Sequence, residues 1–182
     1  MAPTENKSTA GVAVIGAGGW GTTLALVLAR QGESPQLWAY EPGLAETLNR
    51  ERENRVYLPG FRLPEAITAT SELEAVRASL YVLAVPSHAL RTTLGRMRAG
   101  LGPEAELLLA TKGLEQQSLM RVSEVAEAVL GPEAARRCAT LSGPTFAREI
   151  AAGEPAAVVI AAREPALARR LQQRLASSRL RL

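Results

Sequence analysis

The sequence predicts a doubly wound α/β fold with a mainly parallel β-sheet. Short apolar runs typical of strands alternate with amphipathic stretches typical of helices along the 182 residues. The runs at residues 80–85 and 106–110 are almost continuously apolar, as expected for parallel strands that are covered on both faces. A glycine-rich turn follows the first apolar run directly, at the place where α/β folds of this kind bind ligands.

The first strand–turn–helix unit begins with four apolar residues at 12–15. They lead into Gly16, Gly18 and Gly21, which have the spacing G-x-G-x-x-G. In a dinucleotide-binding turn the first glycine permits the sharp turn, the second lets a pyrophosphate approach the backbone, and the third lets the helix pack closely. The helix that follows, to about Gly32, offers its N-terminal N–H groups to the phosphates. The unit predicts a Rossmann-like domain, and a glycine turn without a ligand is the alternative.

The later elements continue the alternation, with proline and glycine at most boundaries. Strands are predicted at residues 36–40, 67–70, 80–85, 106–110, 138–141, 156–162 and 179–182. Helices are predicted at residues 44–52, from a capping-box sequence at 71–74 onward, and at 88–98, 118–130, 142–153 and 165–176, with a short helix before residue 138. Residues 54–64 contain too many breakers for regular structure and are expected to form a loop.

The composition limits the classes of function. Cys138 is the single cysteine, which excludes an internal disulfide and a cysteine-cluster metal site and favours a reducing, cytoplasmic location. The net charge of +3 is too small to indicate nucleic-acid binding, and no apolar run approaches the ~20 residues of a membrane span. Residues 1–10 are polar and predict a disordered tail, which leaves residues 11–182 as one dinucleotide-binding domain.

An acidic residue follows the second predicted strand, at the edge of the sheet where ligands bind. Glu41 lies 20 residues after Gly21, the distance expected for a carboxylate that accepts hydrogen bonds from both ribose hydroxyls of an adenosine. Because this carboxylate would repel a 2′-phosphate, Glu41 favours NAD over NADP as the cofactor. A solvent-exposed acid at the end of a strand is the alternative interpretation.

Lysine is rare in this chain: Lys7 and Lys112 are the two lysines among 21 basic residues. A nicotinamide cofactor implies hydride transfer, and the reduction of a carbonyl also needs a group that polarises its oxygen. Lys112 follows a predicted strand, so it could hold an anionic substrate or stabilise an alkoxide, unless it is a solvated surface lysine. Residues 143–145 offer backbone N–H groups and a hydroxyl to an anion. For His88, the single histidine, a structural role at a helix start and a catalytic role both remain open.

Five motifs follow one another along the chain: GAGGWGT at 16–22, NRVYLPG at 54–60, AVPSH at 84–88, ATKGLE at 110–115 and LSGPTFA at 141–147. Together they resemble the motifs of soluble, NAD(P)-dependent glycerol-3-phosphate dehydrogenase, and the resemblance runs from about residue 11 to residue 182. It implies the interconversion of dihydroxyacetone phosphate and sn-glycerol 3-phosphate, which supplies the backbone of phospholipids.

The resemblance also implies roles for single residues. The implied cofactor contacts are Gly19, Trp20, Tyr40, Lys112 and Ala147. The implied substrate contacts are Lys112, Gly143 and Thr145. The family's proton-donating lysine lies on an all-helical second domain, so no catalytic residue is predicted in this chain and the donor is expected beyond Leu182.

Two positions depart from the family pattern. Gly19 stands where relatives often have serine or asparagine, which we expect to be a minor change. Tyr40 and Glu41 stand where many bacterial relatives have an arginine, and this again argues against NADP.

The predicted function is that of the cofactor-binding half of the dehydrogenase, with a small phosphate-bearing substrate. We expect this chain to bind NAD(H) with little turnover by itself. We also expect it to form a homo-oligomer, because an apolar surface left uncovered by a second domain favours self-association. A stand-alone dinucleotide-binding or sensing module and the domain of a related hydroxyacid dehydrogenase are the alternatives.

Overall fold

The computed structural model describes residues 11–182, so the disordered tail predicted at residues 1–10 lies outside the described residues. Within that range the strands are β1 (Val12–Ile15), β2 (Gln36–Trp38), β3 (Glu53–Asn54), β4 (Leu58–Arg62), β5 (Thr68–Thr70), β6 (Leu80–Leu83), β7 (Glu106–Leu109), β8 (Cys138–Ser142), β9 (Ala156–Ala157), β10 (Val159–Ala162) and β11 (Leu180–Arg181). The helices are α1 (Gly19–Arg30), α2 (Leu44–Glu51), α3 (Ser87–Met97), α4 (Val122–Leu130), α5 (Pro132–Ala135), α6 (Ala147–Ala152) and α7 (Pro165–Leu175). None of the helices found in residues 11–182 has the length and apolarity needed to cross a membrane.

Seven of the described strands form one sheet, in the order β10-β8-β7-β6-β1-β2-β5. Neighbouring strands are parallel, except that β8 and β10 are antiparallel. The chain moves outward from β1 through β2 to β5 and then returns to the other side of β1 as β6. The crevice between β1 and β6 is therefore the topological switch point, where open α/β sheets bind their ligands. The predicted doubly wound, mainly parallel fold is confirmed.

Two apolar cores lie on opposite faces of the sheet. Val12 and Val14 of β1 pack in one core with side chains of α1, α2, α6 and α7. Ala13 and Ile15 pack in the other core with side chains of α3 and α4. Because helices cover both faces, all four residues of β6 are buried, which explains why that strand is continuously apolar.

The glycine turn brings the start of α1 into direct contact with the end of β1. Gly16 has a φ of +114°, in the left-handed region that favours glycine. A Cβ placed on Gly21 would lie 1.8 Å from the carbonyl oxygen of Gly16, so no side chain fits between the helix and the turn. The third glycine thus permits a close approach, and its nearest neighbour is the turn's own backbone.

The prediction of an irregular loop at residues 54–64 is wrong, because β3 and β4 form an antiparallel hairpin there. Two side chains supplement its short backbone ladder. Glu53 Oε1 accepts a hydrogen bond from the Gly60 amide at 2.8 Å, and Asn54 Oδ1 accepts one from the Tyr57 amide at 3.1 Å. Pro59 lies on β4, a strand with a free edge, where the missing N–H of proline is tolerated.

The helix predicted from residues 71–74 is also wrong in extent. Only a 3₁₀ turn forms, at Leu73–Ala75, and no side chain caps it among the described residues. The carboxylate of Glu74, which the capping box requires, instead pairs with the guanidinium of Arg96 at 2.8 Å. The ion pair with Arg96 therefore takes the place of the capping contact that was expected within residues 71–74.

Three further boundaries differ from the predictions. The helix predicted at 118–130 begins at Val122, where Arg121 and Glu124 form its capping box. The helix predicted from residue 142 begins at Ala147. The strand predicted at 156–162 is divided into β9, which pairs with β11 outside the main sheet, and β10, which pairs with β8.

We expect Gly21→Ala to lower the free energy of unfolding by about 3 kcal/mol or more, since the added methyl would overlap the Gly16 backbone. Gly95→Ala is the matched control, because Gly95 is an exposed residue of α3 and no described atom lies within 4 Å of a Cβ there. Its replacement should raise the free energy of unfolding by ~0.5–1 kcal/mol. Urea unfolding followed by circular dichroism measures both, and equal stability of the two variants would contradict the expectation.

Candidate functional site

A cleft of about 710 Å³ opens at the carboxyl ends of β1, β2, β6 and β7, across the switch point of the sheet. It brings together most of the residues that the sequence predicts for cofactor binding. The predicted site residues that line it are Gly16, Gly18, Gly19, Trp20, Tyr40, Glu41 and Lys112. His88 also lines the cleft, from the first turn of α3.

The start of α1 is open toward the cleft. Gly18 is the N-cap residue, and among residues 11–182 no side chain caps the helix and no acid lies in its first turn. No described atom lies within 4 Å of a Cβ placed on Gly18. The N-terminal N–H groups of α1 and the space beside Gly18 therefore fit a pyrophosphate, which such a helix end attracts.

The β3–β4 hairpin packs directly on the glycine turn. A Cβ placed on Gly19 would lie 2.7 Å from the carbonyl oxygen of Tyr57. A serine or asparagine at this position would require the hairpin backbone to move. The close approach of this hairpin therefore requires a residue without a side chain at position 19.

Glu41 and Tyr57 face each other at the β2 side of the cleft. The Tyr57 hydroxyl donates a hydrogen bond to Glu41 Oε1 at 2.6 Å, and this contact raises the pKa of the Tyr57 phenol above its usual value. The neighbouring ring of Tyr40 is 73% exposed and meets Trp38 edge-to-face at 6.1 Å. An aromatic face, a phenol and a carboxylate therefore stand together where an adenosine would be bound.

Lys112 stands at the other side of the cleft, at the end of β7. Its Nζ donates hydrogen bonds to Thr145 Oγ1 at 2.7 Å and to the carbonyl of Gly143 at 3.2 Å. The same ammonium lies 5.0 Å from the ring centroid of Trp20, whose Nε1 donates to the carbonyl of Ala110 at 3.0 Å. Partial desolvation lowers the pKa of Lys112, although the side chain remains accessible to solvent.

Four predicted site residues do not line the cleft itself. They are Gly21, Gly143, Thr145 and Ala147. Gly143 and Thr145 contact Lys112, so they belong to its surroundings. The carbonyl of Ala147 accepts a hydrogen bond from the Thr23 hydroxyl at 3.0 Å, which ties the start of α6 to the N-terminal part of α1.

Other cleft residues were not predicted as site residues. Tyr57 lies in the stretch expected to be an irregular loop, and its place beside Glu41 depends on the hairpin. Arg96 lines the cleft from the end of α3, with its guanidinium 5.8 Å from the ring centroid of Trp38 and paired with Glu74.

Cys138 lies away from the cleft and is buried in the core, where burial raises the pKa of its thiol to about 11 and keeps it protonated.

Comparison with known proteins identifies the family. Residues 11–168 match the family model of the NAD-dependent glycerol-3-phosphate dehydrogenase N-terminus. The chain is similar to the glycerol-3-phosphate dehydrogenase [NAD(P)+] of Geobacter sp. strain M21, with 44% identity over 94% of this chain and 52% of that protein. Identity to the enzyme of the same name from Nocardia farcinica is 48% over 88% of this chain and 49% of that protein.

The fold agrees with this assignment. The crystal structure of glycerol-3-phosphate dehydrogenase from Coxiella burnetii superposes with a TM-score of 0.87 and 35% identity, covering 94% of this chain and 52% of that one. The chain thus spans about half the length of the curated relatives it matches. The family supports a nicotinamide dinucleotide, NAD or NADP, as the cofactor of this domain. By its sequence and its fold, the chain belongs to the NAD-dependent glycerol-3-phosphate dehydrogenase family, whose N-terminal domain it represents.

Proposed function

We propose that this chain supplies the NAD(H)-binding site of an enzyme that interconverts dihydroxyacetone phosphate and sn-glycerol 3-phosphate. The observation that carries the proposal is the contact of Lys112 with Trp20. Trp20 belongs to the dinucleotide-binding turn, whereas Lys112 also bonds to Thr145 and Gly143. A cofactor site and a cluster that can bind an anionic substrate are therefore adjacent at one cleft.

The residues present fit a nicotinamide dinucleotide. When bound, the cofactor supplies the hydride for carbonyl reduction. The open space at Gly18 and the N-terminus of α1 would hold its pyrophosphate, and Gly16 and Gly21 keep the turn compact behind it. Glu41 would accept hydrogen bonds from the ribose hydroxyls, which favours NAD over NADP.

Lys112 would bind the substrate through its charge. An ammonium with three donors can keep a bond to Thr145 while a further N–H contacts an oxygen of the substrate. Partial desolvation lowers the pKa of Lys112. The same desolvation strengthens the contact of the ammonium with an anion, because water screens a partly desolvated charge less. Gly143 and Thr145 position this ammonium. We assign no catalytic role to His88.

We further propose that the 182-residue chain by itself turns over little, because Lys112 is the single lysine among the described residues and its proposed role is to bind the substrate. The dinucleotide-binding domain extends over residues 11–182 in this proposal. We also propose, as the family resemblance implies, that the enzyme is a cytoplasmic homo-oligomer that serves glycerophospholipid synthesis.

We expect NADH to bind at least tenfold more tightly than NADPH, which corresponds to ~1.4 kcal/mol, because Glu41 repels the 2′-phosphate. Glu41→Gln should reduce this preference severalfold, mainly by tightening NADPH. Fluorescence titration with each cofactor measures the two affinities and hence the preference. Glu46→Gln is the control, since Glu46 is an exposed acid of α2 that does not line the cleft. Equal or tighter NADPH binding by the unaltered protein would refute the role of Glu41.

Glycerol 3-phosphate should change the affinity for NADH by about twofold or more in the unaltered protein, because both ligands meet at Lys112. Lys112→Met should abolish this coupling, whereas Lys7→Met, at the only other lysine, should preserve it. Titration of NADH with and without glycerol 3-phosphate measures the coupling. NADH binding that is indifferent to glycerol 3-phosphate would instead indicate a dinucleotide-sensing module.

The purified 182-residue chain should oxidise NADH with dihydroxyacetone phosphate at less than about 1% of a typical enzyme turnover of ~10 s⁻¹. Absorbance at the NADH band measures this directly, with bound cofactor confirmed by fluorescence in the same sample. Turnover at ordinary enzyme rates would show that the chain holds its own proton donor.

A further inference from the structure

Asn54 is a fully buried polar residue at the base of the β3–β4 hairpin, outside the set of predicted site residues. Its Nδ2 donates hydrogen bonds to the carbonyl of Ala17 and to the hydroxyl of Thr22, both at 2.8 Å. Its Oδ1 accepts the amide of Tyr57 at 3.1 Å. All these partners belong to segments that border the cleft, so the amide group joins them through one rigid side chain.

The two groups that accept hydrogen bonds from Asn54 lie on either side of residues 18–21, which include Gly18, Gly19 and Gly21. Ala17 lies between Gly16 and Gly18, and Thr22 lies in the first turn of α1, where its own hydroxyl donates to the carbonyl of Ala17 at 3.2 Å. The side chain of Asn54 therefore fixes the path of the turn from behind. The front of the turn, with its N–H groups, is left free for a ligand.

The geometry points to Asn54 as a positioning residue for the dinucleotide: it holds the glycine turn in its binding conformation and couples the β3–β4 hairpin to cofactor binding. This inference rests on the proposed binding of NAD(H). Asn54 does not line the cleft, so it acts through Ala17 and Thr22 and not by contact with the ligand.

The energetic reason is preorganisation. A turn that must bring several N–H groups to one pyrophosphate loses affinity when it samples other conformations, because ordering it then costs free energy at the moment of binding. Without Asn54 the amide of Tyr57 and the carbonyl of Ala17 lose a buried partner, and the hairpin loses its main tie to the turn. Coupling is reciprocal, so a bound dinucleotide must in turn stabilise the hairpin.

A second contact supports this coupling. The Tyr57 carbonyl lies 2.7 Å from the position of a Cβ on Gly19, so the hairpin rests on the turn within a distance that only glycine allows. The Tyr57 hydroxyl meanwhile reaches Glu41 at 2.6 Å. A displacement of the hairpin therefore alters both the phosphate side and the ribose side of the cleft.

The test compares Asn54→Ala with Asn49→Ala, measured by calorimetric titration with NADH and with ADP-ribose. Asn49 of α2 is the control, because its side chain also bonds to two backbone groups, the amide and the carbonyl of Ala69, but it has no described hydrogen bond to the glycine turn and does not line the cleft. Asn54→Ala should weaken both ligands about tenfold or more at a temperature where circular dichroism shows it folded. Asn49→Ala should leave both affinities unchanged within twofold.

Hydrogen exchange of the unaltered protein gives a second readout that does not depend on the variant folding. Saturating NADH, and equally ADP-ribose, should slow exchange of the Tyr57 amide about tenfold or more. Unchanged exchange at Tyr57, or a folded Asn54→Ala variant with unaltered affinity, would overturn the inference while leaving the proposed NAD(H) binding intact. Failure of the unaltered protein to bind NADH would overturn the proposed function itself.

Discussion

The contact between Gly21 and the Gly16 carbonyl is the constraint on which the rest of the site depends. Because only a hydrogen atom fits between them, α1 starts directly over the end of β1. Its N-terminal N–H groups then point across the switch point between β1 and β6, which the strand order places at the middle of the sheet. The same approach positions Trp20, the second residue of the helix, above the end of β7.

Trp20 transmits this placement to the other half of the cleft. Its indole N–H is bonded to the carbonyl of Ala110, and its ring lies beneath the ammonium of Lys112. Lys112 is held in turn by Thr145, which precedes α6. The N-terminal part of α1 is joined to the start of α6 through Thr23 and Ala147 as well. The site is therefore one connected structure, in which the positions of Lys112 and Thr145 follow from the position of the glycine turn.

Local patterns were sufficient for the sheet and for the glycine turn. Apolar runs and glycine spacing act over a few residues, so their consequences can be predicted from the sequence directly. The hairpin was missed because its main support is not local: Asn54 bonds to Ala17 and Thr22, which lie 37 and 32 residues away. Likewise, the cap expected of Glu74 fails because Arg96, 22 residues later, binds that carboxylate. What sequence reasoning lacked was the identity of these distant partners.

The charges around the cleft bear on the choice of cofactor. Arg96 is a cation that lines the cleft, and by itself it would favour a 2′-phosphate. Its guanidinium, however, donates to both carboxylate oxygens of Glu74, at 2.8 and 3.2 Å, so its charge is compensated within the protein. The described side-chain partner of Glu41 is the neutral O–H of Tyr57, and no cation is among its described hydrogen-bond partners. The hydrogen bond to Glu41 raises the pKa of Tyr57, and this phenol donates to the carboxylate without bringing a positive charge beside it. Among the described residues the charge of Arg96 is compensated by an ion pair and that of Glu41 is not, and this difference supports the proposed preference for NAD.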